Sequence, residues 1–354
     1  MRTMARTHLV AALLAATSVA TAGPGKLIQR DFELDIVLRA KWGDGPGEVG
    51  ERTEQQWWWP EEYTVGPDGS IYIADLARNK RILIFDPEGR YVDHVPLNDR
   101  PPMGRLSWAG GSLYMVEMQA WVIWRLDLES KELERVGELP VPGNISHFVA
   151  VSERDWRLDE RRVVFYVTQH VQPHFELGVG HLDGTWVRKY GPNLEYLGTM
   201  VGRDLAVPAG GREPYTLGDV RGAGDETLVD LRHWSLEEMV FRTTELRVPL
   251  PKEAGPIVRL LGVDDWRNAY LLVRHSRGNV GNGWVLRYDR KGALLAQVVV
   301  SLDYWHEFLG PPLGMGEFED ALAVSPAGDL YCADGDDEGF YIGRIRARRL
   351  RPWP

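Results

Sequence analysis

Cysteine is nearly absent from this chain: Cys332 is the single thiol in 354 residues. That excludes an internal disulfide framework and any cysteine-rich metal site. Its place in the apolar stretch Leu330-Tyr331-Cys332-Ala333 reads as a buried, inert thiol. A basic excess is lacking too, since 41 Lys+Arg stand against 51 Asp+Glu and the pI is about 5.5. This balance excludes a protein that coats nucleic-acid phosphates. Long hydrophobic runs are also missing. The stretch around Leu9–Ala16 offers about 12 apolar residues where a membrane span needs ~20, and no later segment supplies more.

What is present describes a folded globular protein, 44% apolar and 26% charged. The length exceeds the roughly 250–300 residues at which single cores stop growing, so a modular architecture is expected. Residues 1–22 carry a cationic start (Arg2, Arg6), the apolar run Leu9–Ala16, and small residues at Ala20 and Ala22. This pattern is that of a cleaved secretion signal, leaving residues 23–354 as the exported chain, periplasmic or secreted. Without Arg2 and Arg6 the remaining net charge moves from −10 to −12. The cleavage site has no neighbouring cysteine for lipid attachment, and no twin arginine precedes it.

Short alternating strands separated by strong turn chemistry recur along the chain. Tyr63–Val65, the turn Pro67-Asp68-Gly69, Ser70–Asp75, Arg81–Asp86, the turn Pro87-Glu88-Gly89 and Arg90–Val95 make a four-stranded antiparallel meander. Four strands in about 38 residues is one blade of a propeller. The pattern returns at Leu106–Leu139, where Glu117 and Asp127 take the places of Asp75 and Asp86. Further copies are expected at His147–Tyr190, with Asp183-Gly184 as the last turn, at Ile257–Leu302, and from Ala321 to Ile345. A blade must also fill Tyr190–Pro256, where only Thr227–Leu231 and Val240–Val248 read as strands. The last copy lacks a fourth strand, and Phe32–Leu38 stands unpaired before the first. Pairing the two closes the ring and removes both sheet edges. The fold predicted is all-β, a six-bladed propeller of four-stranded antiparallel blades in a single domain; five or seven blades are the other counts the spacing allows.

Trp42-Gly43-Asp44-Gly45-Pro46-Gly47-Glu48, Gly66–Asp75 and Asn79–Gly89 resemble the NHL repeat, a family of six-bladed β-propellers. The resemblance covers the first blade and its preceding linker well, and the third and fourth blades poorly. It implies a fold rather than an activity, because propellers host lyases, hydrolases, receptors and scaffolds alike.

In a propeller the loops entering the innermost strands converge on the mouth of the central channel. The residues there are Glu61 and Glu62, Arg105, His147, Arg259, and Glu319 with Asp320. Such a polar ring of mixed sign serves either as a hydrated channel mouth or as a ligand site. The adjacent Trp57-Trp58-Trp59 cannot all face one core. One or two pack under the first blade, or they form an aromatic platform for a sugar or a protein. NHL-like amidating lyases hold zinc with several histidines at this entrance; here only His147 stands at such a place. Resemblance to the gluconolactonase-like calcium hydrolases implies Glu61 or Glu62 and Asp320 as oxygen ligands, while the middle-blade asparagines are not in place.

Three further motifs read as structural. Asp334–Gly339 begins like a calcium loop, but Ile345 takes the place of the required Glu, leaving an acidic hairpin turn. Gly43–Gly50 is followed by no Lys-Ser/Thr pair and reads as a linker. Arg344, Arg346, Arg348, Arg349 and Arg351 read as solvated edge protection, with an anion-binding patch as the alternative.

No Ser-His-Asp arrangement or full metal set can be assembled from the sequence. The function expected is therefore an exported, non-catalytic binding module without a cofactor. It is a monomer whose protein, peptide or carbohydrate ligand docks over Trp57, Trp58, Trp59, Glu61, Glu62, Arg105, His147, Arg259 and Asp320. The alternative is a metal-dependent hydrolase or lyase holding Ca or Zn through Glu61, Glu62, His147 and Asp320.

Overall fold

A computed structural model of the chain describes residues 32–50, 62–76, 79–97, 106–117, 120–140, 144–155, 160–170, 185–208, 213–223, 225–235, 240–249, 256–275, 282–301, 322–336 and 338–347. These residues form six four-stranded antiparallel sheets. The first blade runs through β2 (Glu62–Val65), β3 (Ile71–Asp75), β4 (Arg81–Phe85) and β5 (Tyr91–Pro96). The second holds β6 (Leu106–Ala109), β7 (Ser112–Glu117), β8 (Val122–Asp127) and β9 (Leu133–Glu138). The third comprises β10 (Asn144–Asp155), β11 (Glu160–His170), β12 (Thr185–Tyr190) and β13 (Tyr196–Val201). In the fourth are β14 (Arg203–Ala206), β15 (Tyr215–Ala223), β16 (Glu226–Ser235) and β17 (Val240–Val248). The fifth has β18 (Pro256–Val263), β19 (Ala269–His275), β20 (Asn282–Tyr288) and β21 (Leu294–Ser301). β22 (Leu322–Val324), β23 (Leu330–Asp336) and β24 (Gly339–Ala347) supply three strands of the sixth, and β1 (Phe32–Lys41) pairs with β24 as its fourth. The ring is thus closed by the N-terminal strand, as the unpaired Phe32–Leu38 segment predicts.

Blades pack face to face, and each of the six apolar clusters joins one blade to the next. Strand alternation explains how. Ile71 and Ile73 of β3 pack with Tyr331 and Ile342 of the last blade, while Tyr72 and Ala74, one residue out of phase, pack with Leu106 and Met115 of the second. A strand covered on both faces reads as a continuous apolar run, and all five residues of β3 are buried.

One tight turn recurs within the blades. In Gly66–Ser70, Asp86–Arg90, Gly191–Glu195, Asp264–Asn268, Asp289–Ala293 and Ser325–Asp329 the first N–H donates to the fifth carbonyl and the fourth N–H to the first, at 2.8–3.1 Å. The fourth position is left-handed in every case. Glycine holds it in four turns, and Leu194 (φ 60°) and Arg267 (φ 64°) hold it in the other two. At Gly89 a second constraint applies, because an added Cβ would lie 1.6 Å from the Val37 carbonyl oxygen of β1. The first blade therefore meets the closing strand backbone against backbone.

Three expectations are corrected. The third blade does not end at Tyr190: its last turn is Gly191–Glu195 and its outer strand is β13, hidden from the sequence because leucine rather than glycine takes the left-handed position. The fourth blade gains β14 and β15, the first only four residues long and the second increasingly exposed along its length. Arg344 is not edge protection either. β1 covers β24, and Arg344 Nη2 donates to Asp35 Oδ2 across that pairing at 3.0 Å. The acidic hairpin reading of Asp334–Gly339 holds, since Asp334 and Asp336 lie on β23 opposite Tyr341 and Gly339 of β24.

Candidate functional site

Polar side chains on the innermost strands tie three pairs of neighbouring blades together. The Glu62 carboxylate accepts the Leu106 N–H at 3.0 Å. Ser107 Oγ accepts the Ala150 N–H at 2.9 Å and lies 3.2 Å from its carbonyl oxygen. Asp204, buried and left-handed at φ 54°, accepts the Leu260 N–H at 2.9 Å and Arg259 Nη1 at 3.1 Å. Two residues of the expected channel-mouth set, Glu62 and Arg259, therefore hold blades together. His147 sits on β10 opposite Thr168, next to a bulge. Trp57, Trp58, Trp59, Glu61, Arg105 and Asp320 lie outside the described residues. Among the described residues no group of three or more His, Cys, Asp or Glu is placed to hold a metal ion.

The linker before the first blade is fixed by a closed polar network. Asp75 accepts the Gly50 N–H (3.0 Å), Asn79 Nδ2 (2.7 Å) and Arg81 Nε (3.0 Å). Arg81 donates onward to the carbonyls of Asp44 (2.8 Å) and Glu48 (2.6 Å), and Asn79 to that of Gly43 (2.9 Å). Both members of the ion pair are buried, at 4% and 8% side-chain exposure. These are the residues that carry the NHL resemblance, and they act as one structural unit. In the second blade Glu117 stands in for Asp75 and accepts Trp124 Nε1 at 3.1 Å.

A second buried centre lies between the fifth and sixth blades. Asp264, fully buried, accepts the Asn268 N–H (2.8 Å), Asn268 Nδ2 (2.8 Å) and Arg287 Nη2 (3.1 Å). Tyr270 Oη lies 3.1 Å from the same carboxylate and 2.8 Å from the Gly328 carbonyl, and burial pushes its hydroxyl far above the ordinary tyrosine range. Next to it, Glu213 lies 3.0 Å from His233 Nε2 and 2.8 Å from Arg267 Nη1, joining the fourth blade to the fifth.

Among the described residues there is an open crevice of about 460 Å³ at the seam where the last blade meets the first. It lies on the face of the first-to-second and third-to-fourth strand turns, opposite the expected channel mouth. Its walls are the turns Gly66–Gly69, Pro87-Glu88 and Ser325–Asp329, the β1 residues Asp35–Val37, and the side chains of Tyr331 and Arg344. The acidic residues Asp35, Asp68, Glu88 and Asp329 line it together with Arg344. Ser70 donates to both Asp68 oxygens (3.0 and 2.8 Å), Arg344 to Asp35, and Arg90 Nη2 to Glu88 at 3.1 Å. These residues escape a sequence reading because Pro67-Asp68-Gly69, Pro87-Glu88-Gly89 and Pro326-Ala327-Gly328 are fully accounted for as turn formers. Only closure of the ring brings the first and last together.

Neither family models nor curated proteins match the chain. Among solved structures, a member of the DUF4221 family from Bacteroides vulgatus is 12% identical with a TM-score of 0.48, over 90% of this chain and 99% of that one. A Bacteroides fragilis protein provisionally described as exported is 7% identical with a TM-score of 0.48, over 90% and 96%. A provisional gluconolactonase is 13% identical with a TM-score of 0.43, over 91% and 94%.

Proposed function

We propose that this chain is an exported six-bladed propeller of the NHL type that binds a ligand or partner rather than transforming one. The observation that carries this reading is the seam crevice. It is open, within the size range of small-ligand sites, and walled by turns whose own hydrogen bonds hold them in place before any ligand arrives. Its hydrogen-bonded carboxylates present a fixed negative field. The NHL assignment is supported by the Asp75–Arg81 network, which joins the linker glycines to the first blade. Export is supported by the leader pattern of residues 1–22, with residues 23–354 as the working domain.

Metal content and thermal midpoint of residues 23–354, measured with and without chelator, test this reading against the hydrolase or lyase alternative. A midpoint unchanged by chelator and no stoichiometric metal are expected. A bound calcium or zinc whose removal lowers the midpoint would instead favour the enzyme, because a ligand held only by the folded state stabilises it.

A further inference from the structure

We infer that the seam crevice recognises a cationic partner, an extended peptide segment presenting Arg or Lys side chains. This rests on the binding reading above and adds the chemistry of the ligand.

Three features of the crevice point the same way. The first is volume: about 460 Å³ admits two long side chains together with the backbone between them. The second is its balance of donors and acceptors. Pro67, Pro87 and Pro326 line the walls and contribute no N–H, while Gly69 and Gly328 donate theirs back into their own turns at 3.0 and 2.9 Å. Arg344, the guanidinium in the lining, donates Nη2 to Asp35, and its remaining N–H groups with the Ser325 and Tyr331 hydroxyls are the other side-chain donors there. Against these stand eight carboxylate oxygens, so acceptors predominate and a ligand rich in donors fits best. The third is charge. Four carboxylates outnumber Arg344 in the lining, on a chain whose formal net charge is −10. A carboxylate oxygen carries two lone pairs and can accept more than one bond, and a guanidinium or ammonium makes a charge-assisted bond to it.

An indole stands behind the same wall. Trp266, at 64% one of the most exposed large side chains, has its ring 3.4 Å from the Cβ position of Gly328 in the Ser325–Asp329 turn.

The experiment is a fluorescence-anisotropy titration of residues 23–354 with a labelled, end-capped Gly-Arg-Gly-Arg-Gly peptide, and with the same peptide carrying Gln in place of Arg. The Arg peptide should bind at one site and the Gln peptide at least tenfold more weakly. Asp68→Asn with Asp329→Asn should weaken the Arg peptide about tenfold. The control pair Asp219→Asn with Glu226→Gln makes the same charge change on the fourth blade and should alter affinity less than twofold. Equal weakening by both pairs would reduce the effect to net charge and overturn the proposal, as would failure of the Arg peptide to bind. Matched thermal midpoints of the two variants establish that each is folded. The two readings fail separately: a stoichiometric metal would sink the binding reading, whereas crevice variants that bind normally would sink only the cationic ligand.

Discussion

Removing the Asp75 side chain tests how the first blade is fixed to its linker. Asp75→Ala deletes the acceptor for the Gly50 N–H, Asn79 Nδ2 and Arg81 Nε, all within 3.0 Å. The Arg81 side chain, 8% exposed, then keeps its bonds to the Asp44 and Glu48 carbonyls but loses its counter-charge. Stranding one partner of a buried ion pair costs about 3–5 kcal/mol. A chain of this length has an unfolding entropy of about 0.7 kcal/mol per kelvin, so the midpoint should fall by about 4–7 °C. Glu134→Ala is the comparison. Its pair with Arg125 spans 2.9 Å but is 62% and 43% exposed, a geometry worth roughly 0–1 kcal/mol. Differential scanning calorimetry of the two variants beside the parent gives the answer. Equal shifts would refute the view that the Asp75–Arg81 pair, rather than apolar packing alone, anchors the linker.

Gly89→Ala should destabilise by several kcal/mol, read from denaturant midpoints, because φ is +76° and the new Cβ would meet the Val37 carbonyl of β1; Gly111→Ala, with open space around its Cβ position, should cost only the backbone strain of its own φ. In acid, the Ser130 N–H and hydroxyl hold the Asp127 carboxyl below its ordinary 3.8. A depressed folded pKa contributes stability that is complete above the unfolded value and lost as pH falls through the folded one. Asp127→Asn should therefore flatten that acid limb in urea melts at pH 2–5, and an unchanged limb would contradict the assignment.

Much of the architecture is legible in the sequence because propeller blades are locally encoded. Pro-x-Gly turns and two-residue periodicity place β2 to β5, and the lone Phe32–Leu38 strand points to closure. The failures have two physical origins. In Gly191–Glu195 the left-handed position falls to Leu194, so the turn before β13 lacks the closing glycine of Pro67-Asp68-Gly69 and Pro87-Glu88-Gly89. The increasing exposure of β15 blurs the alternation that identifies a half-buried strand. The site is less legible than the fold. Glu62 and Arg259 lie on the inner strands rather than in the loops entering them, and sequence order carries no sign of the backbone N–H and carboxylate partners that engage them. The seam crevice is assembled from segments about 250–300 residues apart, and each of them looks complete as a turn.

Hydrogen–deuterium exchange on residues 23–354, with and without saturating Gly-Arg-Gly-Arg-Gly, tests the location of binding most directly. Slowed exchange centred on Gly66–Ser70 and Ser325–Asp329, with the backbone around Asp35 and Glu88, is the predicted result. Protection confined to the linkers entering the inner strands, with the seam turns unchanged, would contradict it.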